Sequence, residues 1–228
     1  LNSYYENKIP FSSFRFPKKS IVECHSADKK NISKEKKPDG SGFIMMPFDT
    51  NKDGYLIQTD KIILTKSIGK VNYKNPNLTK KIKELNIYKN KYLKDVSDII
   101  EKINNSNLLK AVYSKVFDFK ISSPNIFDYF KKLLNLYPDD FCYLFYHPVE
   151  GFWMGASPEL LLKIQDEKLS TVALAGTKKM DNSHWGAKEL NEQKIVQEEI
   201  RKNLMPFCND LIYGKTKSSR AGNIDHIK

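Results

Sequence analysis

Between Phe141 and Ala175 the chain alternates short apolar and aromatic runs with tight polar turns. The runs are Phe141–Tyr146, Phe152–Ala156, Leu160–Gln165 and Leu169–Ala175, and the turns fall at His147–Gly151 and at Asp166-Glu167. Turns this short can only reverse a strand, because a parallel crossover needs a dozen residues or more. The segment therefore dictates an antiparallel meander. Two helical stretches stand apart from it. Leu78, Ile82, Leu85, Tyr88, Tyr92, Val96, Ile99 and Ile103 recur at threes and fours, which predicts a helix over 78–103. A second long helix is predicted over 188–204, and a short one between Pro124 and Pro138. Helices segregated from clustered antiparallel strands give an α+β class rather than a doubly wound α/β one.

The remaining segments are shorter. Residues 1–25 read as extended pieces broken by Pro10 and Pro17, and 26–40 as an exposed Lys-rich loop. Strands are predicted at Gly42–Met46, at Ile62–Leu64, from Leu108 to Phe119, and from Ile224. Asp49-x-Asn51-x-Asp53-Gly54, with Asp60 at the twelfth place, has the oxygens of an EF-hand calcium loop. No helix leads into it and its last residue is a short Asp, so it reads as a polar turn between strands.

Composition excludes several classes. A chain of 228 residues with 40% hydrophobic and 29% charged side chains can bury a core and is not disordered. No apolar run approaches the ~18 residues of a membrane span, and no signal peptide is evident. The net charge is +11, yet all but three of its 38 basic residues are Lys. The exceptions are Arg15, Arg201 and Arg220. Nucleic-acid readout favours the Arg fork, so the charge reads as a solvated surface that would also attract a small polyanion. A non-catalytic basic module binding RNA or an acidic partner is the competing reading. Cys24, Cys142 and Cys208 lie far apart without a C-x-x-C, and the four His show no ligand spacing, so the expectation is reduced thiols in the cytoplasm.

Several residues carry possible chemistry. Lys110 sits in an apolar strand pattern, where desolvation would favour a neutral amine that can act as a base; an exposed edge-strand Lys is the plainer alternative. Glu159 follows Gly155-Ala156-Ser157-Pro158, which would aim its carboxyl, and an apolar wall beside it would make it an acid. A turn with a solvated Glu is the alternative. Gly176 and Thr177 end a strand with a backbone N–H and a hydroxyl suited to an anionic oxygen. Glu189 and Glu192 share a helix face and could hold Mg²⁺, or could simply be an acidic stripe paired with Lys.

Taken in order, LLKAVYSK (108–115), GFWMGASPELLL (151–162), TVALAGT (171–177), KELNEQKIV (188–196) and NIDHIK (223–228) resemble the chorismate-utilising enzymes, most closely the isochorismate synthases. The resemblance implies antiparallel sheets in a two-layer core with helices packed outside. It implies Lys110 as the base that activates water, Glu159 as the general acid, and Gly176, Thr177 and His226 along the substrate. It implies Glu192 as a Mg²⁺ ligand, with Gln193 where the family has His, and Lys115 where it has Arg. The implied reaction adds water at ring carbon 2 of chorismate and expels the carbon 4 hydroxyl, for menaquinone or siderophore synthesis. Salicylate synthases keep the same Lys and also eliminate pyruvate, so salicylate formation stays open.

Two further expectations follow. Residues 1–107 form the N-terminal strands, Lys-rich loop and long helix, and 108–228 the first part of the catalytic core. Leu1 and Lys228 look like cuts in a longer gene product, whose remaining Mg²⁺ and substrate ligands would follow Lys228, so this piece alone is expected to be inactive. No nucleic acid or membrane partner is expected, and a monomer is favoured.

Overall fold

The structure, a computed structural model, describes residues 1–26, 32–59, 61–66, 89–116, 125–179, 184–221 and 224–228. The chain divides into two compact units, one of residues 1–73 with 121–159, the other of 74–120 with 160–228. No helix among the described residues is long and apolar enough to cross a membrane.

The first unit holds the short helix α1 (Asn2–Glu6) and strands β1 (Phe11–Arg15), β2 (Ile21–Ser26), β3 (Ile32–Glu35), β4 (Gly42–Met45), β5 (Gly54–Gln58) and β6 (Lys61–Lys66). After α2 (Lys89–Asn104), which belongs to the second unit, come α3 (Ile126–Leu136), β7 (Phe141–His147) and β8 (Gly151–Ser157). Five strands form an antiparallel sheet in the order β6-β2-β1-β7-β8, and three form a second in the order β3-β5-β4.

The central strand β1 reads Phe-Ser-Ser-Phe-Arg and is buried along its whole length. Strand alternation sends Phe11, Ser13 and Arg15 to one face and Ser12 and Phe14 to the other. On the first face Phe11 joins Val22, Leu144 and Tyr146, covered by Phe130 and Leu134 of α3. On the second, Phe14 stacks on Phe43 at 5.6 Å, and Phe145 packs with Tyr55 and Ile57 of the smaller sheet. Sheet thus lies on sheet with a helix outside, as the family resemblance implies.

Helix α3 starts where Asn125 accepts a hydrogen bond from the Phe127 N–H at 3.2 Å, a side-chain cap. It stops at Tyr137, ahead of Pro138. Arg15 then reaches across from β1. Its Nη1 donates to the Leu134 carbonyl at 2.8 Å, and its Nη2 to that of Tyr137. The fork satisfies the Leu134 carbonyl, whose helical partner position is Pro138, and joins the Asp140 N–H and the Cys142 thiol on that of Tyr137. Arg15→Lys keeps the charge but gives up the fork, and is expected to cost about 1–2 kcal/mol in urea unfolding.

Several sequence expectations meet the structure here. The segment 49–54 is a polar turn between β4 and β5, held by an Asp49 Oδ1 bond to the Asn51 N–H at 3.0 Å, while Asp60 lies outside the described residues. The expected loop at 26–40 contains β3, a partly exposed strand whose Ser33-Lys34-Glu35 disguise it as loop. Charged side chains are what an exposed sheet edge carries. The predicted helix at 78–103 is seen as α2, with 78–88 outside the described residues. The predicted strand at 108–119 is not one over 108–116, and 117–119 lie outside the described residues. A period-two pattern makes a strand only when a neighbour pairs with it.

The second unit continues with the hairpin β9 (Lys163–Gln165) and β10 (Lys168–Ser170), β11 (Thr177–Lys179), α4 (Ala187–Leu204), β12 (Ser218–Ala221) and β13 (Ile224–Ile227). The last sheet runs β11-β13-β12. The hairpin turn places Asp166 at φ 49° and Glu167 at φ 60°, both left-handed. Two-residue hairpins need that conformation, and Gly adopts it without strain. Glu167→Gly is expected to stabilise the chain by about 0.5–1 kcal/mol, read as a higher thermal midpoint.

Candidate active site

The second unit brings three of the expected residues together through one ladder. Thr177 of β11 stands opposite His226 of β13, and its Oγ1 lies 2.9 Å from His226 Nδ1. The same hydroxyl is 3.3 Å from the Ala175 carbonyl. With its proton donated there, Thr177 accepts from Nδ1–H, and His226 presents Nε2 as an acceptor. Gly176 accepts from the Ile227 N–H at 3.0 Å.

Gly176 is required by packing. A Cβ there would lie 2.9 Å from Ile227 Cδ1 and 3.0 Å from the Glu189 carbonyl, so the chain runs directly against α4; the strand expected to end at Gly176 and Thr177 is not one over 171–176, and Thr177 instead opens β11. Gly155 of the Gly-Ala-Ser-Pro-Glu motif is similar: a Cβ would stand 2.8 Å from the Tyr143 ring. Both glycines are explained by protein neighbours, without a ligand.

Helix α4 collects the remaining groups. Glu189 sits in its first turn, where the helix dipole favours a negative charge. Glu192 Oε1 is 3.0 Å from Lys110 Nζ, and both side chains are about one-third exposed or less. Lys110 is therefore neither a free surface residue nor an isolated buried amine; it is ion-paired. Its segment is fastened again at Tyr113, whose hydroxyl donates to Asp95 of α2 at 2.6 Å. That bond, aided by Lys91, holds the Asp95 carboxyl below the usual range. The segment 108–116 thus spans two helices by side-chain bonds in place of a ladder.

Gln193, which the motifs mark only as standing where the family has His, holds the neighbouring segment in place. Its Nε2 donates to the Ala173 carbonyl at 2.7 Å, and its Oε1 accepts from the Ala175 N–H at 3.1 Å. One primary amide thereby bonds alternate residues of a segment that no strand pairs, the segment that delivers Gly176 and Thr177. An imidazole cannot offer a donor and an acceptor from one end in this way. The available signal was an amide directly after Glu192 on a helix, and only the register shows what it grips.

Glu159 is the last residue of the first unit. It is exposed, two residues past the end of β8, and its N–H donates to Ser157 Oγ at 3.3 Å in a local turn. The apolar wall expected around it is not supplied by Leu161, which is 89% exposed, or by Trp153, which is half exposed.

A Mg²⁺ site was expected at Glu192. Among the described residues no three His, Cys, Asp or Glu side chains gather to hold a metal. The Glu192 carboxylate already has Lys110 as its cation. Magnesium takes oxygen ligands in near-octahedral array, and a single engaged carboxylate does not fit that demand.

Comparison with known proteins supplies the rest. A family described as chorismate binding enzyme matches residues 48–228. No curated protein matches the chain. A solved structure from Bacillus anthracis, described as a 2,3-dihydroxybenzoate-specific isochorismate synthase, DhbC, aligns with a TM-score of 0.64 at 16% identity. The alignment covers 99% of this chain and 68% of that one, and at such low identity it shows a shared fold.

Proposed function

This chain belongs to the chorismate-binding enzyme family, and from that premise we propose that it works as an isochorismate synthase. The observation that carries the reading is the convergence on α4. Lys110 pairs with Glu192, and the next residue, Gln193, grips the segment that ends in Gly176 and Thr177. Two separate motifs are thus tied to the helix that carries a third, within the family's matched region.

In this reading the Lys110 amine, released from its pair with Glu192 and having lost its extra proton, takes a proton from water as the water oxygen bonds to ring carbon 2 of chorismate. The ring double bonds shift, and Glu159 gives its proton to the hydroxyl that leaves carbon 4 as water. One water enters and one departs, so the product is an isomer. The step requires a neutral amine at Lys110 and a protonated carboxyl at Glu159. Thr177 and His226, held 2.9 Å apart, supply the polar atoms that orient the substrate beside the Gly176 backbone.

The proposal includes Mg²⁺ as cofactor, action in the cytoplasm, and menaquinone or siderophore synthesis as the destination.

The test is chromatography of chorismate incubated with Mg²⁺ and the gene product that carries this chain. Isochorismate is expected, without pyruvate. Pyruvate released with salicylate would move the assignment to salicylate synthase, and unconsumed chorismate would overturn the reading.

A further inference from the structure

The first unit contains a cavity of about 750 Å³ that none of the residues assigned to the proposed reaction lines, although Trp153 of the 151–162 motif forms one wall. Its floor is Phe145 and Tyr55, which are 1% and 8% exposed. Its walls are Met46, Phe48 and Trp153, and these are unusually bare: Phe48 is fully exposed and Trp153 half exposed. Large aromatic side chains around an apolar hollow gain about 25 cal/mol for each Å² of apolar area that a ligand takes from water.

The polar groups have an ordered arrangement. The Tyr55 hydroxyl donates to Glu150 Oε1 at 2.5 Å, and Lys34 Nζ lies 3.6 Å from the same oxygen. Lys34 also stands 5.1 Å from the centre of the Tyr55 ring. The Tyr55 bond, and then Lys34, hold the Glu150 carboxyl below the usual range. That carboxylate is accordingly engaged from within the protein. Lys36 and Lys52 line the opening as well, with Asp53 the other carboxylate there. The balance around the mouth is cationic, and the walls are flat and apolar.

We infer that this cavity is a second ligand site, separate from the proposed reaction, that takes a planar aromatic molecule carrying an anionic group. The ring lies between Phe48 and Trp153, over the Tyr55 and Phe145 floor. The anion faces Lys36 and Lys52, while Glu150 stays with Tyr55 and Lys34. A ring against Trp or Phe prefers offset or edge contacts, and a charge at the mouth keeps part of its hydration.

The experiment uses 8-anilinonaphthalene-1-sulfonate as the probe. Trp153 and Trp185 are the two tryptophans, so Trp185→Phe leaves Trp153 as the reporter. Saturable binding of one probe per chain is expected, with quenching of Trp153 emission. Phe48→Ala and the double change Lys36→Glu with Lys52→Glu are each expected to weaken binding by about tenfold. The uncharged analogue N-phenyl-1-naphthylamine is expected to bind about tenfold more weakly than the sulfonate. The three altered side chains are exposed, so circular dichroism and thermal unfolding of these variants should match the parent. Absence of saturable binding, binding that leaves Trp153 emission unchanged, or affinities indifferent to these changes would overturn the site. Equal affinity for the uncharged analogue would overturn its preference for an anion.

Discussion

Lys110→Met is expected to lower chorismate turnover by about 10²–10⁴-fold, the range that a positioned general base contributes. Met keeps the length of the stem and removes the amine. The ion pair to Glu192 is lost with it, worth only about 0.5–1 kcal/mol at this exposure. The thermal midpoint should therefore fall by a few degrees at most. Lys110→Arg separates the two roles. A guanidinium can still pair with Glu192 but is permanently protonated, so it cannot accept a proton. The Arg variant is expected to unfold like the parent and turn over like the Met variant. Near-normal turnover in either would remove Lys110 as the base and leave it a tether between its segment and α4.

The second large effect is expected at Gln193. Gln193→Leu is nearly isosteric but leaves the Ala173 carbonyl and the Ala175 N–H facing an apolar group. Each partly buried orphan costs about 1–2 kcal/mol, so the chain should lose about 2–4 kcal/mol in urea unfolding. Activity should fall beyond what unfolding explains, because Gly176 and Thr177 are delivered by the segment that the amide holds. Gln193→His tests the geometry. An imidazole can serve one of the two partners, so about half the stability loss is expected. Parent-like stability in the Leu variant would show that water or a strand neighbour fills the amide's place.

The antiparallel architecture was legible because its signals are local. The runs from Phe141 to Ala156 announce themselves by apolar residues and a short turn, and β7, β8, α4 and β13 appear where those signals put them; the last two runs of the expected meander instead pair only with each other as β9 and β10, and 171–175 is not a strand. The polar turn at Asp49 was read correctly against a tempting calcium motif, since the missing helix outweighed the matching oxygens. What stayed hidden depends on partners distant in sequence. β3 is polar and becomes a strand only because β5 pairs with it. Leu108–Val116 has the pattern of a strand and lacks a ladder, since a pattern states which faces are apolar and not who sits alongside.

The same division holds at the candidate site. Residue types and spacing marked Lys110, Glu159, Glu192, Gly176 and Thr177, and the family resemblance added His226. They could not say that Lys110 and Glu192 would neutralise each other, nor that both motif glycines have protein neighbours where a side chain would be. They noted Gln193 only as a departure from the family's His and assigned it no role, because an amide carries no charge and no reactive atom. Its importance lies in two distances.

The position of β1 has a consequence for synthesis. One neighbour, β2, follows it within a few residues of chain, but the other, β7, ends at His147. At about 5–20 residues per second, a ribosome needs roughly 10 s to make the stretch between them. For that interval the nascent chain carries a bare edge rich in Phe, a template for the wrong strand. Slower translation through this stretch would lengthen the exposure, and chaperone demand in the cell should track the wait for β7 more closely than the stability of the finished fold.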